Sequence, residues 1–117
     1  MTPSQLEHLK LIDAHVERLL AIAEKRIPGD YVKLDTYVGS KDNHHGIADF
    51  CYCGEAENED NASYFASCAG NAEAGWMATR SMIDYLLMMH KHGEGHRYIG
   101  LAEDIRAAFP LELIQKP

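Results

Sequence analysis

The sequence predicts an α+β fold in a single domain covering residues 1–117. Three observations support this class: an apolar stripe of helical spacing near the N-terminus, a central segment that alternates with period two, and helical spacing again in the second half. At 117 residues with 46% hydrophobic residues, the chain can bury a core without disulfides or metals. We expect a long N-terminal helix, a small antiparallel β-hairpin, and then two to three C-terminal helices.

The first helix is predicted by its capping residues and its apolar spacing. Thr2 is suited to the N-cap position, Pro3 to the first helical position, and Gln5 completes a capping box three residues after the cap. Residues of one apolar stripe then follow at spacings of three and four: Leu6, Leu9, Ile12, Val16, Leu19, Leu20 and Ala23. The helix should stop before Pro28, because proline disfavours helical geometry in the preceding residue.

The hairpin is predicted from two short apolar runs. "YVKLDTYV" (31–38) alternates with period two and is rich in β-branched and aromatic residues, which is typical of a strand. "IADFCYC" (47–53) is the second run, and the turn-forming segment "GSKDNHHG" (39–46) lies between the two. Two strands are only marginally stable alone, so we expect a helix to cover one face.

The segment "GEAENEDN" (54–61) is predicted to be an acidic connector. Asp60 or Asn61 would cap a short helix that begins at Ala62. The pair Gly70–Asn71 should end that helix, because both residue types favour helix C-termini.

The strongest helical signal runs from Ala72 to His90, and its apolar arc is broad enough for the most buried helix of the domain. Gly93 and Gly95 should end it, and a last helix is expected over about 97–108. Four methionines are predicted to lie mostly in the core, although a flexible methionine surface can also bind a partner: Met77, Met82, Met88 and Met89.

Charge and hydropathy limit the functional classes. Eleven basic and eighteen acidic residues give a net charge of −7, so direct nucleic-acid binding is not expected. No apolar run approaches the roughly 20 residues of a membrane span, and the N-terminus does not resemble a signal peptide. We therefore expect no membrane association and a cytoplasmic location. Three cysteines in a chain of this size should be reduced thiols.

One alternative is a metal site formed by His44, His45, Cys51 and Cys53. The cysteines would project from one side of the predicted strand, but the histidines would lie about six residues, or ~20 Å, along the hairpin. A C-x-C pair on a strand also differs from the wider spacing on a tight knuckle that zinc sites use. Structural thiols are the favoured interpretation, and the metal site stays open as the alternative.

Other candidate chemical groups have simpler structural explanations. His90 continues the apolar stripe at the core edge, while His92 and His96 flank a glycine turn as exposed residues. Cys68 is expected to lie on a buried helical turn. No nucleophile elbow, P-loop or dinucleotide fingerprint occurs, so we expect neither an enzyme nor a cofactor.

The strongest charge feature is the acidic run between residues 55 and 60. Its carboxylates favour the N-terminus of the following helix, and this explanation requires no partner. In the functional interpretation, these acids imitate nucleic-acid phosphates toward a basic groove. The candidate partner-binding residues are Glu55, Glu57, Glu59, Asp60, Asp35 and Asp42.

Two segments resemble small phage and prophage accessory proteins, including the Ead-like early-region proteins of lambdoid phages. "LLAIAEKRIPGDY" (19–31) resembles their helix end and Pro-Gly turn, although the family commonly carries proline and tryptophan where this chain has Asp30 and Tyr31. "EDNASYFASC" (59–68), followed by "MIDYLL" (82–87), resembles their Asn-Ala segment and the leucine-rich helix after it. The match covers about residues 18–88. It implies that Asn61 caps a helix and that Phe65 anchors the core.

The resemblance implies a small phage protein that acts by binding a host component. We therefore expect an inhibitor of a bacterial defence complex, anti-CRISPR-like, whose partner is a host protein or ribonucleoprotein complex. Two further hypotheses remain: a metal-binding protein, and a sponge that sequesters a small ligand such as a nucleotide. A homo-oligomer is compatible with each of them.

Overall fold

The computed structural model describes residues 1–27, 29–42, 44–51 and 53–115. The predicted α+β class is confirmed. The elements follow in the order α1 (Pro3–Ala23), β1 (Tyr31–Leu34), β2 (Tyr37–Ser40), β3 (Gly46–Asp49), α2 (Glu55–Lys91), a 3₁₀ turn (Gly95–Tyr98), α3 (Ile99–Ala108) and α4 (Leu111–Ile114). The chain divides into two compact units. We call Met1–Ile22 with Trp76–Pro117 the helical unit, and Ala23–Gly75 the sheet unit.

Helix α1 begins with the predicted capping box. The Thr2 amide donates to Gln5 Oε1 at 2.8 Å, and the Gln5 amide donates to Thr2 Oγ1 at 3.2 Å. The helix ends at Ala23, before the predicted stop, and Pro28 itself lies outside the described residues. Gly29 has a φ of +88°, a conformation that glycine adopts without steric cost.

The described residues form one antiparallel sheet of three strands in the order β1-β2-β3, where two strands were predicted. The predicted strand 31–38 is divided by a tight turn that places Leu34 opposite Tyr37. Asp35 adopts a φ of +62° in this turn, and aspartate tolerates that region better than most residues. The alternating pattern continues through the turn, which is why period two alone did not reveal it.

Helix α2 covers 37 residues, and two sequence-based boundaries within it are wrong. The segment 54–61 is not a connector, because the helix starts at Glu55. Glutamate and alanine are good helix formers, and acids in the first turn interact favourably with the helix dipole. The helix also continues through Gly70–Asn71, where Asn71 Nδ2 donates to the Ser67 carbonyl at 3.0 Å instead of capping an end.

A single stripe of buried and half-buried residues explains why α2 is continuous. Its members alternate at spacings of four and three, the heptad spacing of a helix that packs along its whole length. All except Phe65, which is 38% exposed, are buried or half-buried. They are Asn58, Ala62, Phe65, Ala69, Ala72, Trp76, Thr79, Ile83, Leu86 and His90.

The end of α2 matches the prediction closely. Gly93 has a φ of +78°, its amide donates to the His90 carbonyl at 3.0 Å, and the Glu94 amide donates to the Met89 carbonyl at 2.8 Å. These two bonds form a Schellman motif, the usual helix end at glycine. The last predicted helix is present as the 3₁₀ turn and α3.

The two units differ in their interiors. The helical unit buries a cluster of apolar residues from α1, α2, α3 and α4: Leu9, Ile12, Val16, Ile83, Leu86, Ala102, Ile105 and Ile114. Among the described residues of the sheet unit, the buried apolar ones are Val38 and Ala62, and polar Ser40 and Asn58 are buried as well. The apolar core therefore lies mainly in the helical unit.

Candidate functional site: the acidic surface of the sheet unit

The negative charge of the protein is concentrated in the sheet unit. Residues 23–75 contain ten acidic and four basic residues, a net charge of −6. The helical unit contains eight acidic and seven basic residues, a net charge of −1. No lysine or arginine occurs from Asp42 to Thr79, whereas seven acids do. This asymmetry was visible in the sequence, but only the structure shows that it coincides with one compact unit.

The four predicted acids of α2 do not share one face. At 100° per residue, Glu55, Glu57, Glu59 and Asp60 spread over about 200° of the helix circumference. Glu59 is half-buried and the other three are exposed. Glu55 and Glu57 lie in the first turn, where the helix dipole favours them, so their position has a structural cause. Glu59 and Asp60 lie beyond the first turn and have no such explanation.

An exposed ridge runs along the first half of α2. We define the α2 ridge as Glu57, Asp60, Tyr64 and Cys68, which lie within about 80° of one another on successive turns. Tyr64 is 73% exposed, an unusual position for so large a side chain. A hydrogen bond with Cys68 raises the pKa of the Tyr64 hydroxyl above its ordinary value. The ridge therefore combines carboxylates with an uncharged aromatic ring.

The sheet adds carboxylates at both of its ends. Asp35 lies in the β1–β2 turn. The carbonyl of the next residue, Thr36, accepts a hydrogen bond from the Phe50 amide at 3.0 Å. Asp42 lies in the β2–β3 connection, near Gly29. Because the strands between them are four residues long, these two predicted acids are separated by roughly 10 Å or more. The structure thus places Asp35 and Asp42 at opposite ends.

One end of the sheet packs beside the ridge. The rings of Phe50 and Phe65 lie 5.9 Å apart between centroids and are inclined by 56°. Asp49 precedes Phe50, is exposed and pairs with Tyr37 across the strands. Asp49 and the exposed aromatic residues Tyr37 and Tyr64 were missed as site residues, because exposure cannot be inferred from residue type alone.

Asn58 fixes the start of α2. Its Oδ1 accepts from the Cys53 amide and its Nδ2 donates to the Cys53 carbonyl, both at 3.1 Å. Asn58 is 8% exposed, so these bonds satisfy buried polar groups. Asn61, the expected cap, is instead an exposed residue inside the helix. Phe65 packs on Phe50 but remains 38% exposed, so it is a partial anchor rather than a buried one.

Arg26 holds the segment that leads from α1 into the sheet. Its Nε donates to Glu73 Oε1, and its Nη1 donates to the carbonyls of Ile27 and Gly29 at 2.7 and 3.0 Å. The guanidinium also lies 4.9 Å from the ring centroid of Tyr31. The bond to Glu73 raises the pKa of Arg26. One of the four basic residues of the sheet unit is therefore already paired.

The structure does not assemble the alternative metal site. Strand β3 ends at Asp49, so Cys51 and Cys53 lie beyond it and are exposed, which corrects their predicted place within a strand. His44 and His45 are exposed in the preceding connection. Within residues 1–27, 29–42, 44–51 and 53–115, no group of three or more histidine, cysteine, aspartate or glutamate side chains is placed to hold a metal ion.

Several buried positions were predicted wrongly on α2. Cys68 is exposed, because it lies about 120° around the continuous helix from buried Ala62. Met77, Met82 and Met88 are 61%, 37% and 46% exposed, so these methionines are mostly outside the core. The histidines follow the prediction. His90 is half-buried against Gly95, and His92 and His96 are exposed.

No protein-family model, curated protein or solved structure matches the chain. Over the described parts of the chain, no helix is both long and apolar enough to cross a membrane. The acidic surface of the sheet unit is therefore the feature from which a function can be inferred. Exposed carboxylates beside exposed aromatic rings can attract a cationic surface and make contact with its apolar parts.

Proposed function

We propose that this chain is a phage-type accessory protein that binds a host macromolecule through the sheet unit. The partner surface is basic, and the leading candidate is the nucleic-acid-binding groove of a bacterial defence complex such as a CRISPR effector. The observation that carries the proposal is the charge of −6 on the sheet unit, with no basic residue from Asp42 to Thr79. Occupying such a groove would prevent nucleic acid from entering it.

The charge supports a basic macromolecular partner over a nucleotide or nucleic acid. Phosphate groups would be repelled by the sheet unit, whereas a groove lined with lysine and arginine would attract it. Proteins that contact nucleic acid gain much of their affinity from such basic residues. An acidic protein surface can engage the same residues, and electrostatic steering would accelerate its association.

Folding accounts for only part of this charge. Glu55 and Glu57 stabilise the start of α2, and Glu73 pairs with Arg26. Glu59, Asp60 and Asp49 have no such role, and like charges on one small unit reduce its stability through repulsion. Asp60 lies one turn before the exposed Tyr64, and a carboxylate next to an exposed ring is what a partner-binding surface would require.

Phage plating tests the proposal. The protein is expressed in a bacterial strain whose CRISPR system targets a tester phage, and the efficiency of plating is compared with that of an empty vector. We expect plating to rise by at least about 100-fold. In parallel, purified effector with its guide RNA is mixed with labelled target DNA, and the protein should reduce DNA binding in a gel-shift assay.

The control is a strain without the CRISPR system, in which the protein should leave plating unchanged. Unchanged plating across strains carrying each major effector class, together with unchanged DNA binding by the purified effectors, would contradict the proposed role. Because the attraction is electrostatic, inhibition of DNA binding should weaken when salt rises from 0.05 to 0.3 M. The DNA concentration is adjusted at each salt concentration so that the same fraction of effector is bound to DNA without the protein.

A further inference from the structure

A buried histidine joins α1 to the C-terminal segment of the helical unit. His8 is 7% exposed and uses both ring nitrogens. Its Nε2 lies 2.8 Å from the Phe109 carbonyl oxygen, and Arg106 Nε donates to its Nδ1 at 2.9 Å. Since a carbonyl can only accept and the guanidinium can only donate, the ring must be neutral with its proton on Nε2.

The other charged groups around His8 hold Arg106 in place. Arg106 Nη1 donates to Glu103 Oε1 at 2.5 Å, and the same oxygen accepts from Gln5 Nε2 at 3.1 Å. Glu7 precedes His8 on α1, and Glu112 lies near Arg106 at the C-terminal segment; both are exposed. The ring of His15 contacts Phe109 at 6.4 Å between centroids. The guanidinium is thus the charged group bonded to the imidazole.

We propose that His8 is an acid-sensitive latch that holds residues 109–114 against α1. Protonation of Nδ1 removes the acceptor of the Arg106 N–H and places a second positive charge 2.9 Å from Arg106 Nε. At pH values where the imidazole of the open state is charged, the latched state therefore binds one proton fewer than the open state. Opening becomes more favourable as pH falls, by up to about tenfold in the equilibrium constant for each pH unit.

The latch controls a small, defined element. The Phe109 amide donates to the Ile105 carbonyl, and the Leu113 and Ile114 amides donate to the Pro110 carbonyl. Ile114 is 6% exposed and belongs to the core cluster. A charged ring beside the Arg106 guanidinium is disfavoured at this buried position and moves toward water. Its bond to the Phe109 carbonyl is lost with that movement, and these amides and the Ile114 side chain then lose a contact that fixes them to α1. Histidine changes charge between about pH 5 and 8, so this range is the one to examine.

Hydrogen exchange of the full chain tests the latch. Exchange of a peptide covering residues 105–115 is measured at pH 7.5, 6.5 and 5.5 and corrected for the intrinsic pH dependence of exchange. The wild type should lose protection at pH 5.5 by about tenfold or more. His8→Gln should keep its protection, because glutamine can donate to Phe109 and accept from Arg106 at every pH. His45→Gln, at an exposed histidine, should behave as the wild type.

Nitrogen NMR of the wild type provides a second test that needs no variant. It should show a neutral His8 ring with the proton on Nε2 at pH 7.5 and a charged ring when the segment opens. Equal protection of the wild type at all three pH values, or the same loss in His8→Gln, would overturn the proposal. A proton on Nδ1 at pH 7.5 would overturn it as well.

Discussion

The helical unit and the sheet unit divide stability and charge between them. The helical unit holds the cluster of eight buried apolar residues and is nearly neutral, with a net charge of −1. The sheet unit has a smaller and partly polar interior and a net charge of −6. Repulsion between like charges is therefore larger in the sheet unit, which is also the unit that buries fewer apolar side chains. This arrangement supports the proposal that the sheet unit binds a partner.

The largest expected effect is the loss of a side chain from the helical core. Leu86 is fully buried, and Leu86→Ala should lower the free energy of unfolding by about 2–5 kcal/mol. Val16→Ala in the helical core and Val38→Ala in the sheet unit delete the same two carbons from fully buried valines, and Val38→Ala should cost less, about 1–2 kcal/mol. Urea unfolding followed by circular dichroism gives all three values. A larger loss for Val38→Ala would mean that the two interiors have been ranked in the wrong order.

The second prediction concerns the polar anchor of the sheet unit. Asn58→Ala removes both hydrogen bonds to Cys53 and leaves its amide and carbonyl without their partner. The free energy of unfolding should fall by about 1–3 kcal/mol. Asn61→Ala, an exposed change on the same helix, should stay within about 0.5 kcal/mol of the wild type. If the two variants unfold at the same urea concentration, Asn58 does not anchor the helix.

A smaller effect is expected at Arg26. Arg26→Gln removes the ion pair with Glu73 and the ring contact with Tyr31, and glutamine is too short to reach both carbonyls. Because these groups are partly exposed, the loss should be about 1 kcal/mol. Limited proteolysis should show faster cleavage between residues 26 and 31. Arg18→Gln, at an exposed arginine of α1, provides the control and should leave the cleavage rate unchanged.

The smallest expected effect is a gain in stability from a substitution in the helical unit. Burial raises the pKa of Asp13, and the nearby Asp84 carboxylate raises it further, while Arg80 opposes the shift. A carboxyl whose pKa is raised in the folded state supports folding most at low pH, and this support is lost as pH rises through the folded-state value. Asp13→Asn should therefore raise the melting temperature slightly at pH 7, by the equivalent of up to about 0.5 kcal/mol.

That gain should vanish near pH 3, where Asp13 is protonated in both states. Asp104→Asn, at an exposed acid of the same unit, supplies the control and should leave the melting temperature nearly unchanged at both pH values. A gain of equal size at pH 3 and pH 7 would show that the charge of Asp13 is not its cause.

Local signals predicted the start of α1 and the end of α2, because capping residues and glycine act on their immediate neighbours. Thr2 with Gln5, and Gly93, appear as expected. The prediction failed where a longer pattern continues past a local stop signal. Gly70 and Asn71 favour a helix end, but α2 continues through them, with half-buried Ala69 and Ala72 of the stripe on either side. The turn at Asp35 was missed because the strand pattern continues on both sides of it.

The acidic residues of the candidate site could be identified from the sequence, but their arrangement in space could not. The four α2 acids were predicted on a connector and instead surround a helix, and Asp35 and Asp42 lie at opposite ends of the sheet. The exposure of Tyr64 and Cys68 depends on the rotation of α2, which is set by the heptad stripe on its other side.

In the proposed function, the position of the negative charge matters, and not only its amount. Two double variants separate these explanations: Glu59→Lys with Asp60→Lys in the sheet unit, and Asp104→Lys with Glu112→Lys in the helical unit. Each changes the net charge from −7 to −3. Both sets leave the first turn of α2 and the Arg26–Glu73 ion pair intact.

The deciding measurement is the concentration of each variant that halves DNA binding by the purified CRISPR effector. The account predicts that the sheet-unit variant needs at least about tenfold more protein than the wild type, while the helical-unit variant stays within about twofold. Circular dichroism melts confirm that both variants are folded. Equal losses in the two variants, or a larger loss in the helical-unit variant, would contradict the account.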